Sequence, residues 1–414
     1  MSTLYIYNGL LIDGTGGDPI PNGAVLVEGN RITAVGPAPA VTPPRDAAVI
    51  DAAGGAILPG FIDTHVHLML EGLNIPRLLG DPFSLRFFEA VDRMRRTLEA
   101  GITSVRDAGG ADLGVKQAVE RGIVPGPRMQ ISITALSITG GHGDGWQPSG
   151  VELELFPPYP GMPANICDGV EDVRRKVREV LRAGAEVIKI CSTGGVMSPT
   201  DHPEFTQFSP EELAVIVEEG RFRRGVKVMS HAQGVEGVKN AVRAGIHSIE
   251  HGIFLDDEAI ELMLRQGTFL VPTLLAPVAV LEAAEQPGSG VPEYGVRKAR
   301  ETIEIHSESI AKAYQAGVKI AMGTDAGVMP HGTNLRELGL MCNIGMSPME
   351  AIVATTKVAA ECLGWADRVG TLEVGKLADV VVTRTDPLAD IRSLEKVDNI
   401  QVVVKDGKIV KHLV

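Results

Sequence analysis

Between residues 61 and 325 the chain alternates short apolar runs with longer amphipathic ones. The short runs fall at 61–68, 102–108, 128–133, 187–191, 227–232, 248–252, 269–275 and 319–325. Stretches such as PFSLRFFEAVDRMRRTLEAG, GVEDVRRKVREVLRAGAE and SPEELAVIVEEGRFRRG separate them. Several of these open on a capping Ser or Asp and stop at Gly, as helices do. Eight strands alternating with helices predict an α/β chain whose middle is a (β/α)8 TIM-like barrel. A doubly wound sheet would carry a Gly-rich phosphate loop after its first strand, and none is present.

The two ends have another texture. LYIYNGLLID, GAVLVEGNRITAVG and AVIDAAGGAIL lead in; ADVVVTRTD and IQVVVKDGKIVKHLV close the chain. Gly29-Asn30 and Asp406-Gly407, each between apolar runs, are hairpin signals. Neither end holds enough strand for a sheet core of its own. A small β-sandwich formed by residues 1–58 plus 367–414 is therefore expected, with the barrel spanning 59–366.

Composition narrows the partners. Apolar residues are 44% and charged residues 22% of 414, an ordinary globular mix with a net charge of −13. That charge, with no Lys/Arg cluster, argues against nucleic acid. No run of about 18 apolar residues predicts a membrane span, and MSTLYIYNGLLIDGTG carries no secretory pattern. A cytoplasmic location and a homo-oligomer are expected. Cys167, Cys191, Cys342 and Cys362 are scattered without CxxC spacing, which fits reduced thiols. Cys191 reads as a small buried hydrophobe.

Within PGFIDTHVHL, His65 and His67 stand two apart, so on a strand both rings face one side. Two convergent imidazoles make half a metal site. Further candidates end other apolar runs just before Gly-containing turns: Lys189 in VIKICSTGG, His231 in VMSHAQG, His251 in SIEHG and Asp325 in MGTDAG. In a barrel those ends share the catalytic face. An ammonium cannot ligate. Burial beside cations lowers a lysine pKa, and the neutral amine can add carbon dioxide to become an anionic carbamate with two oxygens. Three long segments follow strands, at 69–82, 134–168 and 276–292, and loops of that length are commonly functional. The 134–168 stretch, with GGHGDGWQPSG and LFPPYPGMP, reads as a wall or lid, or else as a subunit contact.

HVH after the first strand, a lysine ending the fourth, histidines ending the fifth and sixth and TDAG ending the eighth resemble the amidohydrolase superfamily. PGFIDTHVHL, TSVRDAGG, ITGGHGD, SIEHG and MGTDAG…PHGTNLREL look closest to its imidazolonepropionase-related metallopeptidases, the Xaa-Pro dipeptidases (prolidases) and related carboxypeptidases. The resemblance implies a centre of two divalent ions, usually Zn2+. His65, His67 and Asp325 would hold one ion and His231 and His251 the other, with N6-carboxylated Lys189 and a hydroxide bridging them. Lys189 speaks against imidazolonepropionase proper, which lacks that lysine. Gly234 stands where adenosine-type deaminases have a glutamate.

The implied reaction is hydrolysis of a peptide-like amide in a small-molecule substrate by metal-activated hydroxide. Asp325 would carry the proton to the leaving nitrogen, and His142 in GGHGD would donate to the oxyanion or have no role. His202, Gln233 and His331 are substrate-contact candidates, with a supporting or solvent-facing place as the alternative. Arg106 and Asp107 read as a structural pair; Asn334 and Glu337 read as braces for the loop after Asp325. The same centre would attack non-peptide amides, carbamates, ureas or lactones. A non-catalytic barrel scaffold is the reading from another class.

Overall fold

The computed structural model describes residues 3–72, 77 and 80–413. Strands from both ends of the chain form one sheet. They are β1 (Thr3–Leu11), β2 (Ile20–Glu28), β3 (Arg31–Pro37), β4 (Ala48–Asp51), β5 (Ala56–Pro59), β14 (Val380–Thr383), β15 (Ile400–Lys405) and β16 (Lys408–His412). The order is β16-β15-β14-β5-β1-β2-β3, with β4 paired to β1. Alternation puts Leu4, Ile6, Val25, Val27, Ile57, Val380, Val382, Val402 and Val404 into one buried cluster. Both hairpin turns form where the sequence marks them. Gly29 takes φ +62, and Asp406 and Gly407 take +49 and +71. The two turns touch: a Cβ on Gly407 would lie 1.9 Å from the Gly29 carbonyl oxygen.

The middle of the chain is α/β with parallel ladders. β6 (Phe61–Val66), β7 (Ile102–Asp107) and β8 (Arg128–Ile131) form one. β9 (Ala135–Leu136), β10 (Val187–Cys191), β11 (Lys227–Ala232), β12 (Ser248–His251) and β13 (Phe269–Val271) form the other. Helices α1 (Leu85–Glu99), α2 (Leu113–Glu120), α3 (Val170–Arg182), α4 (Pro210–Phe222), α5 (Val235–Ala244) and α6 (Asp257–Gln266) connect them. The punctuation works locally. Ser209 makes a capping box at α4, and α5 and α6 end on left-handed Gly245 and Gly267. After β13 come α7 (Leu275–Ala284), α8 (Glu293–Gln315), α9 (Arg336–Asn343), α10 (Pro348–Ala354) and α11 (Lys357–Leu363).

Three stretches differ from the sequence expectation. The run at 269–275 stops as a strand at Val271, because Pro272 has no N–H and Thr273 takes φ +50. Segment 276–292 is not all loop: α7 occupies its first half, with Pro277 tolerated in the first turn. Segment 319–325 makes only one isolated parallel bridge, Ile320 to Leu270, with another just beyond it, Ala326 to Val66. There the Asp63 carboxylate takes the Thr324 N–H that a regular ladder would use. Of 69–82, residues 73–76, 78 and 79 lie outside the described set. Among the described residues no helix is long and apolar enough to cross a membrane.

Candidate metal centre

The six candidate ligands meet at one mouth. His65 Nε2 lies 3.5 Å and His67 Nε2 3.2 Å from Asp325 Oδ1. Lys189 Nζ is 3.5 Å from His65 Nε2. The His251 ring centroid is 5.2 Å from that of His65 and 4.5 Å from that of His231. One donor atom each from His65, His251 and Asp325 falls within 4.8 Å of the others. Asp325 and His251 reach in from left-handed backbone, at φ +63 and +76. Non-glycine residues hold that conformation only where the surroundings impose it, and such residues cluster at functional sites.

The chemistry of the donor set fits divalent cations. Each histidine has one ring nitrogen occupied by a backbone or side-chain acceptor, and on His67 the other faces Asp325 Oδ1. His65 Nδ1 donates to Glu250 Oε2 at 2.8 Å, and His67 Nδ1 to the Gly109 carbonyl at 2.9 Å. His251 Nδ1 donates to Thr273 Oγ1 at 2.6 Å, that hydroxyl passing its own proton to the Pro272 carbonyl. His231 uses Nε2 instead, on the Gly194 carbonyl at 3.0 Å. A neutral ring held this way keeps a bare lone pair on the other nitrogen, the form that binds metal. Burial holds the pKa of His65, His231 and His251 well below the usual histidine range, so these rings are neutral. Burial also opposes charge on His67, but the bond and charge of Asp325, the charge of Asp107 and the bond to Gly109 together raise that pKa. Lys189 is 3% exposed, and desolvation lowers its pKa.

Behind the ligands lies a layer that the sequence did not reveal. Glu250, fully buried, bonds His65 on one oxygen and Arg106 Nη2 (2.9 Å) and Ser248 Oγ (2.6 Å) on the other. Arg106 also donates to the Thr64 carbonyl at 2.7 Å. The expected Arg106–Asp107 pair is thus not formed, because successive strand residues face opposite sides. Asp107 instead receives the backbone N–H groups of Leu68, Gly109 and Ala111. Asp63 accepts from the N–H of His65 and of Thr324, from Thr324 Oγ1 and from Asn334 Nδ2. Glu337 braces the start of α7 rather than the loop after Asp325, accepting the Leu274 and Leu275 N–H groups at 2.8 Å. Burial pushes its carboxyl up to about 8. The only available clue to Glu250 was a charged residue inside an apolar strand, SIEH.

Arg106 and Glu250 are both out of solvent, so Arg106→Met should cost about 3–5 kcal/mol by stranding the carboxylate. The Arg106→Met/Glu250→Gln double variant should recover most of that. Urea unfolding of the three proteins measures both, and equal losses in single and double variants would contradict it.

Of the remaining candidates, His142 and Gln233 line the pocket above the centre. Gln233 is buried, and its Oε1 has no partner among the described residues. His202 is not brought in; its side chain is 37% exposed beside Glu204. His331 is buried behind the wall, bonding the His67 and Leu70 carbonyls. The 134–168 stretch does line the pocket, through Leu153, Leu155 and Phe156, and Phe156 stacks on His67 at 5.6 Å. Cys191, fully buried, has its thiol pushed up to about 12 by desolvation, which leaves it inert.

Comparison with known proteins agrees with this geometry. Ochratoxinase of Aspergillus niger is 36% identical over 98% of this chain and 86% of its own. The crystal structure of a Xaa-Pro dipeptidase with methionine in its active site superposes with a TM-score of 0.89 at 34% identity, over 99% of both chains. A prolidase complexed with N-methylphosphonate-L-proline gives 0.91 at 36% identity, over 99% of this chain and 100% of that one. The model of the amidohydrolase family matches residues 56–410, and the chain belongs to that family, as a hydrolase acting on amide bonds.

Proposed function

We propose that this chain is a metal-dependent hydrolase of small peptide-like amides, a dipeptidase or carboxypeptidase that takes short peptides or N-acyl amino acids. The parallel ladders, bridged at Val66–Ala326 and Leu270–Ile320, read as one (β/α)8 barrel over 59–366, flanked by the sheet of 1–58 and 367–414. The observation that carries the reading is four histidines, each bonded at one nitrogen, facing one carboxylate and one buried lysine. His65, His67 and Asp325 would hold one ion, His231 and His251 the other, and Lys189, as its carbamate, would link them. Two divalent ions bound there, with zinc the natural choice for this nitrogen-rich set, supply Lewis acidity toward a carbonyl and toward water.

The chain's own residues do the rest. Asp325, 16% exposed at the pocket floor, is placed to take a proton from water and pass it to the leaving nitrogen. The apolar wall of Leu153, Phe156, Met197, Val280 and Val328 excludes bulk water and receives a large apolar group. The same wall supports a second reading. Among the described residues no arginine lines it, while Asp144 and Glu154 do, which favours substrates without a free carboxylate. N-acyl amino acids, their C-terminal amides, and a set of carbamates, lactones and hydantoins, assayed with the zinc-loaded protein, separate the two. Cleavage of the acids supports the peptidase reading. Cleavage of the neutral compounds alone replaces it with the second, and no cleavage of any removes both.

His142 offers a sensitive point. Its ring stacks on His231 at 4.1 Å, and a Cβ on Gly195 would lie 2.2 Å from its Cε1. Gly195→Ala must therefore displace the ring, and turnover should fall about a hundredfold with little change in melting temperature. Near-normal turnover would show that the ring's position is immaterial.

A further inference from the structure

We propose that Met197 is the residue that sets how long an apolar group the pocket admits, and that Gly295 sets it from behind by giving the thioether its place. The proposal rests on the amide-hydrolase reading of the pocket and deepens it, because it names the side chain that divides short-chain from long-chain substrates.

Gly295 is a glycine where a helix has no use for one. It is buried in the first turn of α8, on ordinary helical backbone. Alanine makes the better helix at such a position, and no positive φ asks for glycine here. Met197 does. A Cβ on Gly295 would lie 2.8 Å from Met197 Sδ and 3.2 Å from its Cε, well inside the separation that carbon and sulfur tolerate. The thioether therefore rests against bare helix backbone, in the space a methyl group would occupy.

The loop around Met197 is pinned, and the side chain is not. Lys298, one turn along α8 and 3% exposed, donates to three backbone carbonyls: Gly195 at 2.9 Å, Ser198 at 2.8 Å and Asp201 at 2.7 Å. The Asp201 carboxylate in turn accepts the Gly195 N–H at 3.3 Å and Gln207 Nε2 at 3.2 Å. These bonds fall on both sides of residue 197 and tie the loop to the helix. A thioether pushed off Gly295 thus cannot carry the loop with it; only the unbranched side chain can turn. Met197 is half-buried and lines the pocket beside Val196, Val280 and Tyr294. With α8 behind it and the pocket in front, its turn goes into the space a substrate would fill. One absent methyl group on the helix fixes the depth of that wall.

Straight-chain alkane-1-sulfonamides, from two to eight carbons, measure the depth. They resemble an amide but are not cleaved, and calorimetry on the zinc-loaded protein gives their dissociation constants. In the wild type affinity is expected to rise about fourfold per methylene until the chain meets Met197, and then to level. Met197→Ala should prolong the rise by about two carbons, since the chain then buries further methylenes. Gly295→Ala should end it sooner and weaken the longest ligand about tenfold or more, with the melting temperature no lower. In the double variant the new methyl meets no thioether, so its profile should match that of Met197→Ala alone. The proposal is overturned by a plateau at one length in wild type and Met197→Ala, or by a Gly295→Ala loss that persists without Met197. A flat profile in the wild type, absence of binding included, overturns it as well. No turnover enters the measurement, so an empty substrate screen would remove the proposed reaction and leave this profile to be judged by itself.

Discussion

Lys189→Ala is expected to leave a protein that no longer retains two zinc ions and whose hydrolytic activity falls by more than about a hundredfold. Lys189 sits in the middle of β10, 3% exposed, with Nζ 3.5 Å from His65 Nε2. Without it Asp325 is the one anion left among the candidate ligands to offset two dications. A buried charge without a partner is costly, so the second ion should leave first. Acetate or propionate, added at high concentration, can place a carboxylate in the vacated space, and partial recovery of zinc content and rate is expected. Metal analysis after gel filtration, with and without the added acid, measures both. A variant with full zinc and full rate would show that Lys189 does not bridge. Glu250→Gln, read the same way, should weaken zinc binding about ten- to a hundredfold without abolishing it, since an amide oxygen can still accept from His65.

The second large effect belongs to Asp325. Asp325→Asn preserves shape and one acceptor oxygen, but an amide cannot take and return a proton. Turnover should fall about 10²- to 10⁴-fold while KM for the best substrate stays within a few-fold. Asp325 is also a candidate ligand, so zinc content must be measured alongside. Loss of rate with one or both ions retained assigns the proton transfer, whereas near-normal kcat would remove Asp325 as the carrier. In the wild type, burial opposes the charge on Asp325, but the bond to His67 and the charges of His65, His67 and Lys189 together hold its pKa below the ordinary range. The carboxylate is thus ready as an acceptor across the whole neutral range.

What could be read from the chain was what lies in short-range pattern. His65, His67, Lys189, His231, His251 and Asp325 each end an apolar run before a glycine turn, and the structure brings all six to one mouth. The supporting layer was not legible, for a physical reason. Whether Glu250 meets Arg106 or Asp107 does depends on which way each side chain leaves its strand and on strands far apart in sequence. Asp201 and Ser198 lie in a loop with no periodicity at all. His202 takes the solvent-facing place that the sequence left open beside substrate contact, since residue type alone does not say which face of a loop a ring takes. Segment 319–325 looked like a strand by composition, yet the Asp63 carboxylate competes for its backbone donors, and composition cannot register such competition.

The contact between Gly29 and Gly407 has a bearing on biosynthesis. β5, near the start, pairs with β14, which a ribosome delivers more than three hundred residues later. Until then the N-terminal strands wait with an open edge, a state that invites pairing between nascent chains. Maturation of this enzyme should accordingly be post-translational in its last step, and slow release or a clipped C-terminus should yield aggregates rather than a weakened catalyst.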